Sequence, residues 1–345
     1  MPRRKILFII GSMNQTTQMH QISLHLNRDF DCYFSQVFDT NPLVRTAVLS
    51  GLLDKTILAG DFKKNSDEYL SKHNLKNDYA MSVYNHEYDI AVLCTDMIVP
   101  KKLRALKTVW VQEGMTDRVT NWAKIVKHHD LPGYLSMSTA LNGAGNICDI
   151  YCAASEGYKE HFTSMGTDSS RIIATGIPNY DNIHSFNYNR FPYKNYVLVA
   201  TSDIREVLGK DDRKKFIEDA AKIAAGRRMI FKLHPNEEKE RAIGEIEKYA
   251  PHNTIIFTKG DTNHMIANCD ELITQYSTVV YAGIVLGKKV HSYFNVEELK
   301  KLTPMQNGGT SSKTIADICR NYVDFRGNGS EFLKHYEPKI RTFAA

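Results

Sequence analysis

Residues 5–18 read KILFIIGSMNQTTQ, an apolar run that stops at Gly11 and gives way to short polar side chains. Such a run is typical of a parallel strand whose two faces are both covered by helices. The glycine and polar residues after it indicate a strand-to-helix turn, with a helix that begins near Gln18. The stretch therefore predicts the opening strand of a doubly wound α/β sheet.

The same pattern recurs along the chain in two groups, with helix-like stretches between the runs. Each group predicts a parallel sheet. Asn182–Asn195 is rich in Asn, Tyr and Pro and follows neither apolar period, so we expect a linker there. Helices are predicted at Asp211–Ala225 and Pro235–Tyr249. The predicted strands are Lys5–Ile10, Ile90–Cys94, Thr108–Val111, Ile150–Ala153, Ile172–Thr175, Tyr196–Ala200, Arg228–Leu233, Thr254–Thr258, Glu271–Thr274 and Lys289–Tyr293.

The length of 345 residues fits two domains of about 150 residues each. We predict an N-terminal, acceptor-side Rossmann-like domain over residues 1–185, a C-terminal, nucleotide-binding Rossmann-like domain over 190–330, and a helix or tail over 331–345. Two such domains that face a cleft bind ligands at the carboxyl ends of their strands. Functional residues are therefore expected in the loops that follow strands.

The amino-acid composition excludes several classes of protein. Hydrophobic residues at 42% and charged residues at 24% exclude a disordered chain, a collagen-like fibre and a coiled coil. The net charge of +5 suits phosphorylated ligands or an anionic membrane surface better than nucleic acid. The apolar run Ile6–Ile10 is far shorter than a span of about 20 residues, and the polar residues after it argue against a secretion signal.

The six cysteines are scattered, which predicts buried thiols rather than a disulfide framework. Cys148 and Cys152 have no second ligand pair at zinc-site spacing, so we expect no metal there. These features together predict a cytoplasmic protein, with peripheral contact with the inner face of the membrane left open.

Ser12, Asn14 and Gln15 lie in the first strand-to-helix loop. Backbone amides and short polar side chains at a helix start bind anions or hydroxyl groups, so we assign this loop to the acceptor. A single glycine excludes a dinucleotide fingerprint and a Walker loop. Ordinary turn geometry explains the same residues equally well.

Two loops in the second half carry candidate phosphate ligands. His234 follows a predicted strand and precedes Pro235, which suits a first helical turn with free amides. Ser277 and Thr278 lie where another helix starts, and their hydroxyls could cap it and bind a diphosphate. A structural histidine and plain N-capping are the alternatives.

Three segments in this order resemble those of CDP-glycerol glycerophosphotransferases and related capsule polymer transferases. Thr274–Tyr293 is similar to their Asp-Tyr-Ser-Ser to Leu-Gly-Lys-Pro-Val segment, and Lys232–Pro235 is similar to their Lys-x-His-Pro motif. Thr175–Asp181 resembles their Gly-x-Pro-x-x-Asp turn. Gln275 stands where that family usually has aspartate, Thr278 where it has a second serine, and Lys289 where it has proline.

This resemblance implies a GT-B architecture whose C-terminal domain binds a nucleotide-activated donor. A cytidine nucleotide is favoured, with a UDP-sugar as the alternative. In that family the histidine and the paired hydroxyls contact the donor phosphates, which carries over to His234, Ser277 and Thr278.

The N-terminal half resembles another GT-B group, the non-hydrolysing UDP-GlcNAc 2-epimerases. Leu93–Asp96 and Val109–Gly114 are similar to their Gly-Asp-Thr and Val-Glu-Ala-Gly segments, whose acidic residues do proton chemistry and match Asp96 and Glu113. The epimerase carboxylate that holds the ribose would fall at residues 281–282, which are Tyr and Ala. An epimerase therefore ranks below a transferase.

Glycosyl transfer needs a base for the acceptor hydroxyl and positive groups for the leaving phosphate. Glu113 is the first candidate base, followed by Asp117 and Asp96; a helix cap or salt bridge is its alternative. Without an Asp-x-Asp motif, we expect no metal or other cofactor. Further donor-binding candidates are Lys232, Pro235, Arg205, Thr201 and Ser202.

Trp122–Tyr134 combines aromatic and basic side chains, including Lys124, Lys127, His128 and His129. It fits an acceptor-binding or membrane-facing surface, although a solvated helix is the interpretation we favour.

The sequence thus predicts a transferase that moves a sugar or polyol phosphate from a nucleotide donor to a glycan or lipid-linked acceptor, in the synthesis of a cell-envelope polysaccharide such as a capsule. An epimerase and a non-catalytic protein that binds a glycan or a partner are the alternatives. No nucleic acid partner is expected, and the oligomeric state stays open.

Overall fold

Two parallel sheets organise the chain. The structure, a computed structural model, describes residues 3–36, 42–54, 56–57, 59–78, 86–117, 119–208 and 211–336. The chain divides into two compact units, which are described separately. Unit 1 comprises Met1–Asp181 with Pro304–Ala345, and unit 2 comprises Asn182–Thr303.

The sheet of unit 1 has the strand order β3-β2-β1-β4-β5-β6-β7, and every pair is parallel. The order reverses between β1 and β4, so their carboxyl ends form the switch point where doubly wound sheets bind ligands. The strands are β1 (Arg4–Ile10), β2 (Phe30–Gln36), β3 (Lys76–Asn77), β4 (Ile90–Leu93), β5 (Lys107–Val111), β6 (Ile150–Ala153) and β7 (Ile172–Ala174).

Helices cover both faces of this sheet, which explains why β1, β4, β5 and β6 are almost wholly apolar. The helices of unit 1 are α1 (Met13–Leu24), α2 (Pro42–Leu49), α3 (Gly60–Lys72), α4 (Lys101–Arg104), α5 (Asn121–His128), α6 (Glu156–Ser164), α13 (Ser311–Tyr322) and α14 (Gly329–His335).

The sheet of unit 2 is also parallel, with the order β10-β9-β8-β11-β12 and a switch point between β8 and β11. Its strands are β8 (Val197–Ala200), β9 (Met229–Lys232), β10 (Ile255–Phe257), β11 (Glu271–Thr274) and β12 (Lys289–His291). Its helices are α7 (Ile204–Leu208), α8 (Arg213–Ala224), α9 (Lys239–Tyr249), α10 (Thr262–Asn268), α11 (Val279–Val285) and α12 (Val296–Leu302).

The predicted doubly wound α/β class is confirmed, and each of the ten predicted strands overlaps a strand of the structure. Two strands were not predicted, β2 and β3. β2 reads FDCYFSQ and mixes polar with apolar residues, whereas β3 has only two residues, both exposed.

The domain limits differ from those predicted, because residues after 303 belong to unit 1 rather than to a domain at 190–330. The buried face of α13 carries Ile315, Ile318 and Tyr322, which pack in one core with Ile6 and Phe8 of β1. The 331–345 segment contributes Phe332 of α14 to the same core; residues 337–345 lie outside the described part. The spacing of apolar residues predicts that a segment forms an amphipathic helix, but it does not indicate which sheet that helix packs against.

Two helix starts also differ from the prediction. α1 begins at Met13, five residues before Gln18, because Ser12 caps it by accepting a hydrogen bond from the Gln15 amide at 3.1 Å. α9 begins at Lys239, so Pro235 lies in a turn before the helix and not in its first turn. No helix in the described ranges is both long and apolar enough to span a bilayer.

Candidate functional site

A carboxylate lies at the switch point of unit 1. Glu113 follows β5, and its Oε1 accepts a hydrogen bond of 2.6 Å from the Ser12 hydroxyl. Its Oε2 accepts one of 2.7 Å from Nε2 of Gln15. Both donors follow β1, and β4 lies between β1 and β5 in the sheet. The carboxylate is therefore held across the carboxyl end of β4.

The surroundings of Glu113 suit a base. Glu113 is half-buried as a residue. Burial raises the pKa of Glu113, and the hydrogen bonds from Ser12 and Gln15 act in the opposite direction. A carboxylate with a raised pKa holds a proton more strongly at neutral pH than an ordinary glutamate does.

The two donors are fixed by the start of α1. Ser12 and Gln15 form a capping box, in which the Ser12 amide also donates to Oε1 of Gln15 at 3.4 Å. A Cβ at Gly11 would lie 2.8 Å from Oε1 of Gln15 and 2.9 Å from Cβ of Ile57. A residue with a side chain at position 11 would displace Gln15, so this glycine allows the close approach.

The other two predicted bases have structural partners instead. Asp96 is 1% exposed, and its carboxylate accepts hydrogen bonds from the Gly143 and Gly145 amides and the Tyr151 hydroxyl at 2.8–3.1 Å. Burial raises the pKa of Asp96. Asp117 accepts hydrogen bonds of 2.8 Å from the amide and the hydroxyl of Thr139. Neither carboxylate forms a described hydrogen bond with Glu113, and of the three candidates Glu113 is the one hydrogen-bonded to the loop after β1.

Asn14, the third predicted acceptor-side residue, joins α1 to the turn after β7. Its carbonyl accepts a hydrogen bond of 2.9 Å from Nδ2 of Asn179, and Gln21 donates to Oδ1 of the same Asn179 at 2.7 Å. The turn lies in the Thr175–Asp181 segment, whose Asp181 accepts the Ser311 amide at 2.6 Å.

In unit 2, three strand ends bring most of the predicted donor-binding residues together. The His234 amide after β9 donates to the Thr201 hydroxyl after β8 at 3.0 Å. The Ser202 hydroxyl donates to the Tyr276 carbonyl after β11 at 3.3 Å. Ser277 follows directly and is only loosely engaged, since its hydroxyl lies 3.5 Å from the Val279 amide.

The His234 ring has one engaged nitrogen. Its Nδ1 accepts a hydrogen bond of 3.3 Å from the Asn236 amide and lies 3.6 Å from Oδ2 of Asp203. Where Nδ1 accepts the hydrogen bond from Asn236, the proton of a neutral His234 ring is assigned to Nε2. With its side chain 32% exposed, His234 presents an N–H donor suited to a phosphate oxygen.

Other predicted donor-binding residues are used inside unit 2. The Thr201 hydroxyl donates to Glu237, and Nζ of Lys232 donates to the Leu233 carbonyl at 2.7 Å. Burial lowers the pKa of Lys232. Arg205 pairs with Glu245 at 2.7 Å. Thr278 precedes α11 without a side-chain capping bond. Among the predicted phosphate ligands, His234, Ser277 and Thr278 are partly exposed.

A buried network beneath these loops was not predicted. Arg213 pairs with Asp211 at 2.9 Å and with Glu237 at 2.7 Å, and all three side chains are at most 5% exposed. Arg213 also donates to the Ser202 carbonyl at 3.1 Å. The run Asp211–Lys215 is wholly charged, two acidic residues followed by three basic ones, as on a solvated surface, so the sequence contains no signal of burial.

The structure explains two of the three departures from the transferase segment, those at Gln275 and Lys289. Nε2 of Gln275 donates to Oδ1 of Asp211 at 2.9 Å, where an aspartate would place two carboxylates in contact. Lys289 pairs with buried Glu271 at 2.7 Å, which a proline could not do. Within the described ranges, no group of three or more His, Cys, Asp or Glu side chains could hold a metal ion.

Comparison with known proteins gives the class of fold. The two Rossmann-type sheets have a GT-B-like architecture. No protein-family model matches the sequence, and no curated protein matches it.

Solved structures of similar fold include MnaA from S. aureus with UDP, at a TM-score of 0.58 and 10% identity over 93% of this chain and 97% of that one. UDP-GlcNAc 2-epimerase from Neisseria meningitidis, bound to UDP-GlcNAc, has a TM-score of 0.57 and 13% identity over 92% and 100% of the two chains. HepE from Anabaena, in complex with UDP-glucose, has a TM-score of 0.51 and 13% identity over 96% and 94%.

Proposed function

We propose that the protein is a metal-independent glycosyltransferase that uses a nucleotide-activated donor. Glu113 of unit 1 is the base for the acceptor hydroxyl, and His234 of unit 2 binds the donor diphosphate. The observation that carries the proposal is the Glu113 carboxylate, held at a switch point by Ser12 and Gln15. Asp96 and Asp117 take structural roles in this account.

Glu113 accepts the proton of the acceptor hydroxyl, and the acceptor oxygen forms a bond to the transferred sugar carbon or polyol phosphorus. The bond from that atom to the nucleotide phosphate breaks, and the electron pair leaves with the nucleotide. The Nε2–H of His234 and the Ser277 hydroxyl donate hydrogen bonds to the leaving phosphate. The raised pKa of Glu113 favours the proton transfer, because a stronger base captures the proton more readily.

We propose a pyrimidine nucleotide in the donor. The resemblance of Lys232–Pro235 and Thr274–Tyr293 to the transferase segments favours cytidine. The solved structures of similar fold name UDP, UDP-GlcNAc and UDP-glucose as their ligands, which favours uridine. The acceptor is a glycan or a lipid-linked glycan of the cell envelope, and the reaction takes place in the cytoplasm.

An epimerase of the UDP-GlcNAc 2-epimerase type is the second candidate, because the similarity in fold between this protein and a solved enzyme of that type covers nearly the whole chain. Two observations count against it. Asp96 matches one of the two acidic residues of the epimerases, but its carboxylate is buried and accepts hydrogen bonds from backbone amides. Positions 281–282 are buried Tyr and Ala, so no carboxylate is offered there to a ribose.

The test combines binding with two chemical measurements. Titration calorimetry with UDP and CDP measures binding, and binding of neither contradicts the proposal. Incubation with UDP-glucose, UDP-GlcNAc or CDP-glycerol in deuterated water, with and without glycerol or N-acetylglucosamine as acceptor, separates the reactions. Acceptor-dependent nucleotide release supports transfer. Deuterium at the sugar without an acceptor supports epimerisation, and binding without either reaction supports a non-catalytic protein.

A further inference from the structure

An apolar patch lies on unit 1 around α5. Six of the thirteen large hydrophobic side chains exposed in the described part of the chain fall within residues 122–137. Exposed apolar side chains are common singly, but a concentration of this kind marks an interaction surface. We name it the α5 patch; it consists of Trp122, Ile125, Leu131, Tyr134, Leu135 and Met137.

The local geometry makes these side chains neighbours. Nε1 of Trp122 donates to the Leu135 carbonyl at 2.9 Å, which joins α5 to the 3₁₀ turn Gly133–Ser136. Ile125 lies three residues after Trp122 on the same helix face. The neighbouring face of α5 buries Ala123 and Val126 in a small core. These two residues, rather than the exposed side chains, pack α5 against unit 1.

A cavity of about 640 Å³ opens beside the patch. Leu131 and Tyr134 belong to both, and Lys127 and Arg104 line the cavity with Asp130. Nζ of Lys127 is buried and has no hydrogen-bond partner among the described residues. Burial lowers the pKa of Lys127, and the Asp96 carboxylate opposes that shift. A buried ammonium group without a paired anion is costly, and an anionic ligand would relieve that cost.

Further basic side chains lie on α4 and α5. Lys101, Lys102 and Arg104 form most of α4, and Lys124 is exposed on α5. Trp and Tyr side chains with an apolar body and a polar tip, flanked by lysines, suit the interface of an anionic bilayer. Each such lysine or arginine contributes roughly 1 kcal/mol near an anionic lipid surface. The basic charge beside the apolar side chains therefore favours an anionic bilayer.

We propose that the α5 patch binds the surface of an anionic phospholipid bilayer, with a head-group phosphate entering the adjoining cavity to meet Lys127 and Arg104. Trp122, Ile125 and Met137 enter the interface. The proposal concerns a surface of unit 1 and does not depend on the proposed reaction.

Tryptophan fluorescence tests it directly, because Trp110 is fully buried and Trp122 is 51% exposed. The whole chain is titrated with vesicles of phosphatidylcholine alone and of phosphatidylcholine mixed with phosphatidylglycerol. We expect a blue shift of Trp122 emission, and quenching by brominated acyl chains, with the anionic vesicles only. Ile125→Ser with Met137→Ser should weaken partitioning about tenfold. Lys127→Gln should weaken it about fivefold.

Matched variants control for exposure and location. Leu24→Ser and Tyr188→Ser remove side chains that are 59% and 90% exposed outside the patch, and both should partition like the wild type. Absence of the blue shift with anionic vesicles overturns the proposal, as does an equal response to neutral vesicles. Binding of soluble glycerol phosphate without vesicle binding would assign the cavity to a small anion and also overturn it. A lipid-free dimer dissociated by the patch variants would assign the patch to a second copy of the chain.

Discussion

The Ser12 hydroxyl donates to Oε1 of Glu113 over 2.6 Å, although the two residues are 101 positions apart in the chain. The same Ser12 oxygen accepts the Gln15 amide and so caps α1. One residue therefore starts a helix and holds the proposed base. The orientation of Glu113 depends on the geometry of the loop after β1, which links the fold of unit 1 to its chemistry.

Replacement of Glu113 by Gln keeps the size of the side chain and removes its basicity. We expect turnover to fall by about 10²–10⁴-fold, the usual contribution of a general base, while donor affinity stays unchanged. Steady-state rates and calorimetry measure the two quantities. Glu160→Gln, a change of the same kind at an exposed position in unit 1, should leave both unchanged.

Ser12→Ala tests the hydrogen bond itself. This bond lowers the pKa of Glu113, so its loss should raise that pKa further and move the acid limb of the kcat/KM profile to higher pH. The lost cap should also destabilise α1 by about 1 kcal/mol. Asn328→Ala removes a capping box at α14. Asn328→Ala should reduce the free energy of unfolding by a similar amount without moving the pH profile of kcat/KM. An equal shift of the profile in both variants would contradict the role of Ser12 in positioning Glu113.

His234→Ala should weaken donor binding by about tenfold, because one hydrogen bond to a charged group is lost. His234→Gln places an amide N–H near the position of Nε2 and should recover part of the affinity. Calorimetry with UDP and CDP measures both variants. His252→Ala, at an exposed histidine of the same unit, is the control and should bind like the wild type.

The sequence predicts the sheets better than the site. Buried parallel strands such as β4 and β6 are continuous apolar runs, and their pattern needs no knowledge of neighbours. The groups with which a charged side chain pairs, by contrast, depend on residues that are distant in the sequence and come close only in the fold. Nothing local distinguishes Glu113, which lies at the switch point, from Asp96, whose carboxylate accepts hydrogen bonds from amides about 50 residues away.

Gln275→Asp would restore the residue usual in the transferase segment and place its carboxylate against Asp211. We expect a loss of about 2–3 kcal/mol in the free energy of unfolding, since like charges would be buried together. Urea unfolding measures it. The added change Asp211→Asn should restore part of the stability; a double variant no better than the single one would contradict the contact.

Buried Glu271 accepts hydrogen bonds from Arg227 and His291, both at 2.5 Å, and pairs with Lys289. Burial acts to raise its pKa, but these partners lower it from 4.5 to about 2. The folded pKa lies below the unfolded one, so the contribution to stability is full above about pH 5 and is lost as the pH falls toward 2.

Glu271→Gln should therefore cost about 2 kcal/mol at neutral pH, a value reduced from the full shift because Lys289 and Arg227 are partly exposed. The difference between variant and wild type in urea unfolding should shrink as the pH falls from 5 to 3. A difference that stays constant over that range would show that the charge of Glu271 contributes nothing.

The central claim is that Glu113 serves transfer rather than epimerisation, and one measurement tests it most directly. Wild type and Glu113→Gln are incubated in deuterated water with a nucleotide-sugar that the wild type binds, with and without glycerol or N-acetylglucosamine, and followed by NMR. The account predicts nucleotide release that needs the acceptor and Glu113, with no deuterium in the sugar. Deuterium entering the sugar without an acceptor, or equal nucleotide release by both proteins, would contradict it.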